Sequence, residues 1–495
     1  MTIVKESIVN TNAIQPKEDM LTHKLKLLWG TGALGVAVMN GTIVYILLFY
    51  MVQILKIEPA LAGGLLFVTK LIDVGTDPIV GIWSDRLKSK FGRRRPFLMP
   101  GAILCSLSFV LIFTTPLFDN QTFTVAYMFI ALVIYTIGYT VFNVPYLSMP
   151  AEMTSNYHER SSIHSYRVVF IMIGGFLSGS GVAWSLEWLG RSEWLSYSII
   201  GFSGAIIILV AMLTAYIGTA KAEFTEGNTI ATPILGELTA IRKNPHFLKL
   251  IAVKACQLLA VSSAGAAMIF FFTSSLQSNF LVFGNFILVI TVVSIIATPL
   301  LLKLSKKIGK RAGYMVSALA YVVCAVSWVF AVPGEPELYI YIRGAIIGVA
   351  VTGNIMLAMS MLTDTIEYDA RTTGVRREGV YTSIYSFVEK FTHAFGPLIV
   401  GVALSYAGFN KDLAQDQLQS EQVQQALLLG MVYLPALLGV AAMVILATFD
   451  LNEDTLSQLG QPEAVISEDN AAKATLKDQD KDVQSKITDN PQSTK

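Results

Sequence analysis

Apolar runs of about twenty residues, separated by short polar stretches, recur along most of the 495-residue chain. A helix needs about 20 such residues to cross a hydrocarbon core of about 30 Å, so each run predicts a membrane-spanning helix. Runs of that length begin near residues 25, 60, 97, 123, 164, 194, 248, 279, 312, 338, 379 and 422, which predicts twelve spans. The polar stretches divide the chain. Residues 1–24 form a mixed-charge amino-terminal segment with no apolar region of the kind a removable signal peptide needs. Residues 220–247 are the longest internal polar connection and separate two sets of six spans, 25–219 and 248–450. Residues 451–495 turn to Asp, Lys, Gln, Ser and Thr without a sustained apolar period, which predicts a disordered tail.

The second run breaks the pattern. In LAGGLLFVTKLIDVGTDPIVGIW, Asp73 and Asp77 lie one helical turn apart, with Lys70 a turn earlier and Thr76 beside them. Ionisable groups at membrane depth cost several kcal/mol each and face a partner or a cavity. Two carboxylates about 5 Å apart repel by roughly 3 kcal/mol at an effective dielectric of about 20, so the pair is expected to hold a metal cation or share a proton. This is the chemistry of ion-coupled transport. A structural salt bridge to Lys70 or to Lys390, in the eleventh run, is the alternative. Next to Lys390, Glu389 points about 100° away, where a neighbouring helix is its available partner, and no site role is assigned to it; His393 is expected to be packed and hydrogen-bonded, with a proton relay as the alternative.

Composition agrees with a membrane protein: 53% hydrophobic and 14% charged, against about 25% charged in soluble domains, with mean hydropathy +0.57. Basic residues gather in alternate connections, SDRLKSKFGRRRP, RKNPHFLK, KLSKKIGKR and ARTTGVRRE, whereas three of the opposite ones hold only Lys56, Arg191 and Lys411. The positive-inside rule then puts both termini in the cytoplasm. Cations distributed by topology, with a net charge of +1, make no nucleic-acid patch. Cys105, Cys256 and Cys324 fall within predicted spans without metal-ligand spacing and are expected to pack. Five histidines without an H-E-x-x-H element supply no catalytic constellation, which speaks against an enzyme. A receptor or channel, needing no ion coupling, remains a remote alternative.

GIWSDRLKSKFGRRR resembles the signature loop of the major facilitator superfamily through Gly81, Asp85, Arg86, Gly92, Arg93 and Arg94, and LLKLSKKIGKR echoes it six spans later. The resemblance implies a two-bundle, twelve-helix fold with a central site, in which Asp85, Arg86, Arg93 and Arg94 act as a conformational gate. A plain basic topogenic loop is the alternative. The pattern K-x-x-D-x-x-x-D-P-x-x-G over residues 70–81, with FNVPYLSMPAEMT, SYRVVF and LTDTIEYDARTTGVRREGVYTSIYSFVEK, is similar to the glycoside-pentoside-hexuronide cation symporters, the melibiose permease family, over nearly the whole chain.

That resemblance implies a sodium site at Asp73, Thr76, Asp77 and Thr140, with Thr76 standing where the family usually has Asn. Oxygen ligands suit Na⁺, and a coupled carboxylate pair also suits H⁺. It implies sugar contacts among Lys70, Tyr139, Asn143, Arg167, Tyr385 and Lys390, with Lys390 linking cation and sugar sites; Asn40 and Asn354 are further hydroxyl partners. Ala37, Asn143, Leu147 and Ile355 replace acids and tryptophans of the melibiose permease, so the sugar is open between an anionic hexuronide and a neutral glycoside or pentoside. The expected protein is a monomeric inner-membrane symporter without a cofactor, whose partners are a sugar, a monovalent cation and the lipid bilayer. Animal lysophospholipid transporters also resemble this family and share the acidic pair, which leaves a lysolipid cargo as the alternative.

Overall fold

The computed structural model describes residues 21–459 except 88, 90–91, 155–156, 191–192, 221, 223–240, 243, 376 and 414–416. Most of the amino-terminal segment 1–24, of the connection 220–247 and of the tail 451–495 therefore lies outside the described residues. The described start of the tail carries a short helix, Glu453–Gln458.

The long helices are α1 (His23–Thr42), α2 (Pro59–Arg86), α3 (Arg95–Phe113), α4 (Gln121–Met153), α5 (Tyr157–Phe176, continued through Leu177–Gly181 to Val182–Leu189), α6 (Trp194–Gly218), α7 (Pro245–Phe270), α8 (Phe280–Ile308), α9 (Lys310–Ser327), α10 (Glu337–Thr373), α11 (Glu378–Tyr406) and α12 (Glu421–Ala447). Except for α5, each starts within a few residues of the expected position. Helix α5 begins at Tyr157 because its first turns are polar, and the apolar pattern rises only from Ser162. Short polar side chains start several helices by accepting an orphan backbone N–H: Asn244 accepts from Phe247 at 3.1 Å and Asn279 from Val282 at 2.9 Å.

Among the described residues, eleven helices are long and apolar enough to cross a membrane. Helix α2 has the length, 28 residues, but Lys70, Asp73 and Asp77 in its interior lower its apolarity. Cys105 and Cys324 are buried and Cys256 half-buried, all as free thiols, in keeping with a packing role.

The described residues separate into two compact units, Met1–Leu47 with Gly75–Ile230, and Leu48–Val74 with Ala231–Lys495, so the division falls inside α2. Each unit uses the same helix pairing. In the first, α1 packs on α5 and α6, and α3 on α4 and α6; in the second, α7 packs on α11 and α12, and α9 on α10 and α12. Adding six to each label in the first set yields the second.

The repeat extends to backbone detail. Helix α1 is followed by a π turn, Tyr50–Ile54, and a left-handed Lys56 (φ 56°), and α7 is followed by a π turn, Phe271–Ser275, and a left-handed Gln277 (φ 50°). Gly92 before α3 (φ 87°) and Gly309 before α9 (φ 86°) likewise match, in a region of φ that favours glycine.

Within the second unit, α2 lies against α11 through glycines. A Cβ at Gly63 would collide with the Pro397 carbonyl, and one at Gly401 with the Pro59 carbonyl. Phe67 and Phe395 close the contact edge to face, with ring centroids 4.9 Å apart. Small residues permit such backbone approach in membrane helices, where dispersion replaces the hydrophobic drive. Gly401→Leu is expected to force the two helices apart and cost about 1–3 kcal/mol, read as a lower melting temperature of the detergent-solubilised protein. An unchanged melting temperature would show that this contact tolerates bulk.

Candidate functional site

The α2–α11 contact brings charge together inside the second unit. Asp73 is 1% exposed, and its Oδ2 lies 3.4 Å from Lys70 Nζ, one turn back on α2, and 3.3 Å from Lys390 Nζ on α11. A buried carboxylate is strongly unfavourable without compensation, and here two ammonium groups converge on one oxygen. Lys390 thus meets Asp73, one of its two expected partners.

The neighbouring Glu389 finds the helix it was expected to reach. Its Oε1 lies 3.7 Å from Lys254 Nζ on α7, and Lys254 also stands 5.5 Å above the Tyr385 ring. The sequence reading did not single out Lys254, a lone lysine in an apolar stretch; that charge at that depth was the available signal. His393 is packed, but its Nδ1 has no hydrogen-bond partner, so its expected hydrogen bonding is absent at that atom. Its backbone carbonyl instead accepts from Ser262 at 2.6 Å.

In the first unit, Thr76 and Thr140 hydroxyls lie 3.2 Å apart, joining α2 to α4. Thr140 is fully buried, and Asp77, next to Thr76, is half-buried. Pro78 has no N–H to give to the Val74 carbonyl, so the turn carrying both aspartates and Thr76 also frees a backbone oxygen from its helical bond. Along α4, Tyr135 and Tyr139 stack with centroids 6.4 Å apart. Tyr135 donates to Asn40 Oδ1 on α1 at 2.7 Å, and the Asn143 amide donates to the Tyr139 hydroxyl at 3.2 Å. Asn143 Oδ1 and Arg167 Nε are buried without a hydrogen-bond partner. These aromatic faces and amides are the groups that bind saturated hydroxylated molecules. Ala37 lies against Gly174 of α5, while Leu147 and Ile355 are exposed.

The loop before α3 forms a separate cluster. Arg94 pairs with Asp85, bonds Glu152 Oε1 at 3.0 Å through Nε and donates to Ser84 at 2.6 Å. Arg93 reaches the same Glu152 oxygen at 3.1 Å. Arg86 is exposed and makes none of these bonds. Glu152, at the end of α4, was not singled out from sequence, although it lies in a motif that was. The second unit repeats the device, since Lys310 at the start of α9 binds both carboxylate oxygens of Asp364 on α10, at 2.7 and 2.8 Å.

Buried charges in one unit and aromatic and amide groups in the other, within a chain of spanning helices, are the marks of a multi-pass membrane transporter for a small polar solute. The chain belongs to the family described as MFS/sugar transport protein, whose profile it matches over residues 28–453, and within it to the glycoside-pentoside-hexuronide type. It is 25% identical over 448 residues to a putative glycoside/cation symporter of Escherichia coli, covering 88% of this chain and 93% of that one. It is also 25% identical to an isoprimeverose transporter of Lactiplantibacillus pentosus, covering 81% and 83%. The crystal structure of a bacterial homologue of the human lysosomal transporter Spinster shares the fold at TM-score 0.62 and 14% identity, over 88% of this chain and all of that one.

One titration follows from the start of α1. Lys26 bonds Glu159 Oε2 at 2.9 Å and Ser162 at 3.0 Å, and the Leu21 N–H donates to the same carboxylate oxygen. The Lys26 hydrogen bond, above all, holds the Glu159 carboxyl below its usual range. A depressed folded-state pKa contributes stability above the ordinary glutamate range, and this is lost as pH falls through that range. Melting temperature is therefore expected to drop on acidification from neutral pH, and Glu159→Gln to flatten part of that drop. An identical acid profile in the variant would remove Glu159 from the account.

Proposed function

We propose that the protein is a symporter that couples inward movement of Na⁺ or H⁺ to uptake of a sugar, a glycoside, pentoside or hexuronide, by alternating access. In this reading α2 is a twelfth span and both termini are cytoplasmic. The observation that carries it is the buried Asp73 held by Lys70 and Lys390 on a helix that also carries Asp77 and Thr76, in a chain of the sugar transport family. A transported cation is drawn to the aspartates, with Thr76 and Thr140 hydroxyls and the carbonyl freed by Pro78 as further oxygen ligands.

A cation at Asp73 competes with Lys390 for the same oxygen. Its arrival releases the lysine, and a sugar that accepts a hydrogen bond from the released ammonium favours cation binding in return, because coupling free energy is reciprocal. One cation crossing about 100 mV supplies roughly 2.3 kcal/mol, enough for about fifty-fold accumulation of a neutral sugar. A hexuronide gains support from the second unit's site, where two ammonium groups, those of Lys70 and Lys390, lie at Asp73. In the first unit, Tyr139, Asn143 and Arg167 serve as the sugar contacts.

The test is substrate-induced cation flux in proteoliposomes, with glycosides, pentosides and hexuronides under Na⁺ or H⁺ gradients. Asp77→Asn is expected to abolish concentrative uptake while leaving some sugar binding; full accumulation in that variant would rule out the role of Asp77. Asp73→Asn is a poorer control, because it strands two ammonium groups and is expected to cost about 3–5 kcal/mol of stability as well. Lys390→Ala is expected to shrink the shift in sugar affinity caused by the cation, and an undiminished shift would reduce Lys390 to a counter-ion. No flux with any sugar, together with uptake of lysophospholipid, would replace this reading with a lysolipid carrier.

A further inference from the structure

Lys254 and Glu389 form an ion pair that the symport scheme does not use, and the two partners differ in their surroundings. Lys254 is 2% exposed. At that depth its ammonium needs an acid, and Glu389 at 3.7 Å supplies one, aided by the Tyr385 ring. Compensation accounts for Lys254 but leaves the exposure of Glu389 unexplained. The Glu389 side chain is 48% exposed, whereas Asp73, which compensates lysines on the same helix contact, is 2% exposed. Carboxylates of spanning helices face the bundle interior or water in preference to lipid, which makes the open flank of Glu389 a place for a polar partner.

The surrounding polar groups point the same way. One turn earlier on α11, the Tyr385 hydroxyl has no hydrogen-bond partner although the residue is 3% exposed. Buried polar atoms are nearly always bonded, and an orphan marks a place where a partner is missing. Ser386, exposed on the same helix, adds a further hydroxyl. An ionised carboxylate accepts from two adjacent hydroxyls at once, and vicinal hydroxyls are what a sugar presents.

We propose that Glu389 is a substrate-contacting carboxylate that accepts hydrogen bonds from two neighbouring hydroxyls of the transported sugar, and that Lys254 is the positioning residue that aims it. The Tyr385 hydroxyl completes this subsite. The proposal rests on the sugar-transport reading above and adds a specificity-determining pair to it. Lys254 acts from behind, since its ammonium is enclosed, and its removal misdirects Glu389 without deleting a substrate contact.

The test uses the full-length protein in proteoliposomes with isoprimeverose, methyl β-D-xyloside and methyl β-D-glucuronide and, for whichever is accumulated, its monodeoxy analogues. In the wild type, removing a hydroxyl that Glu389 grips is expected to raise KM roughly ten- to hundredfold. In Glu389→Gln that ratio between analogue and parent is expected to fall to within about threefold, a collapse that loss of packing does not produce. Lys254→Gln is expected to reduce the ratio as well, and Lys254→Arg to restore it. Glu389→Asp keeps a charge for Lys254, and so the fold, but withdraws the carboxylate by one methylene; it is expected to raise KM for the parent sugar at unchanged melting temperature.

Full discrimination among the deoxy analogues in both Glu389 variants would overturn the proposal while leaving sugar symport standing. So would a Glu389→Gln protein that discriminates normally but loses proton-driven uptake, which would make Glu389 a proton carrier. Failure of the wild type to accumulate any of the three sugars would instead overturn the sugar reading itself, and the proposal with it.

Discussion

A bilayer interior solvates no charge, and the arrangement of this protein's second unit follows from that constraint. Asp73 on α2 is tolerable only while Lys70 and Lys390 lie against it. Lys390 reaches it only because α2 and α11 approach to backbone contact at Gly63 and Gly401. Electrostatic need and glycine packing are therefore two ends of one constraint. A helix pair separated by ordinary side chains would leave the lysine short of its carboxylate, and a chain without the carboxylate would leave two lysines in hydrocarbon. The adjacent Glu389 and Lys254 repeat the logic on α11 and α7, so α11 carries opposite charges on successive residues, each turned to a different helix.

The repeat of helix pairing across six labels shows how one packing scheme supports two chemistries. Both units place a left-handed glycine before their third helix and clamp a cation there against an acid on the fourth, Arg94 with Glu152 and Lys310 with Asp364. Helices α1 and α7 are each followed by a π turn and a left-handed residue. The interiors differ. Tyrosines, asparagines and threonines line α4 in the first unit, whereas lysines and acids gather on α7 and α11 in the second. Backbone connections set by turn geometry are shared; the polar side chains of the interiors are not.

The elements were legible because a membrane span is a statement about length and apolarity, and both are properties of the chain taken alone. So was the importance of α2, since three charges in one apolar run call for either a salt bridge or an ion site, and the salt bridges to Lys70 and Lys390 are present. Partnership was less legible. The spacing of Asp73 and Asp77 makes them look equivalent, but one is enclosed between two lysines and the other half-buried beside a threonine. Lys254 passed as one more basic residue after RKNPHFLK, because its place within the first turns of an apolar run does not show that it is enclosed and paired with Glu389. Glu152 was hidden for the opposite reason: an acid at a helix end is ordinary until two arginines of the basic loop converge on it. Helix α5 began early because hydropathy detects the lipid-exposed length of a helix and overlooks its polar turns.

The unequal surroundings of the two aspartates bear on how a transported cation would bind. A site built only of acids would be destabilised when empty by carboxylate repulsion, and would bind a cation too tightly to release it. At Asp73 the protein supplies its own cations, so the empty state is compensated by Lys70 and Lys390. An incoming ion then gains only the difference between its own attraction and that of the lysine it displaces. In the proposed scheme such exchange keeps affinity moderate, as cycling transport requires, and converts ion binding into movement of a side chain. The ammonium that leaves Asp73 in that scheme is the sequence neighbour of Glu389, whose own partner is Lys254 above the Tyr385 ring.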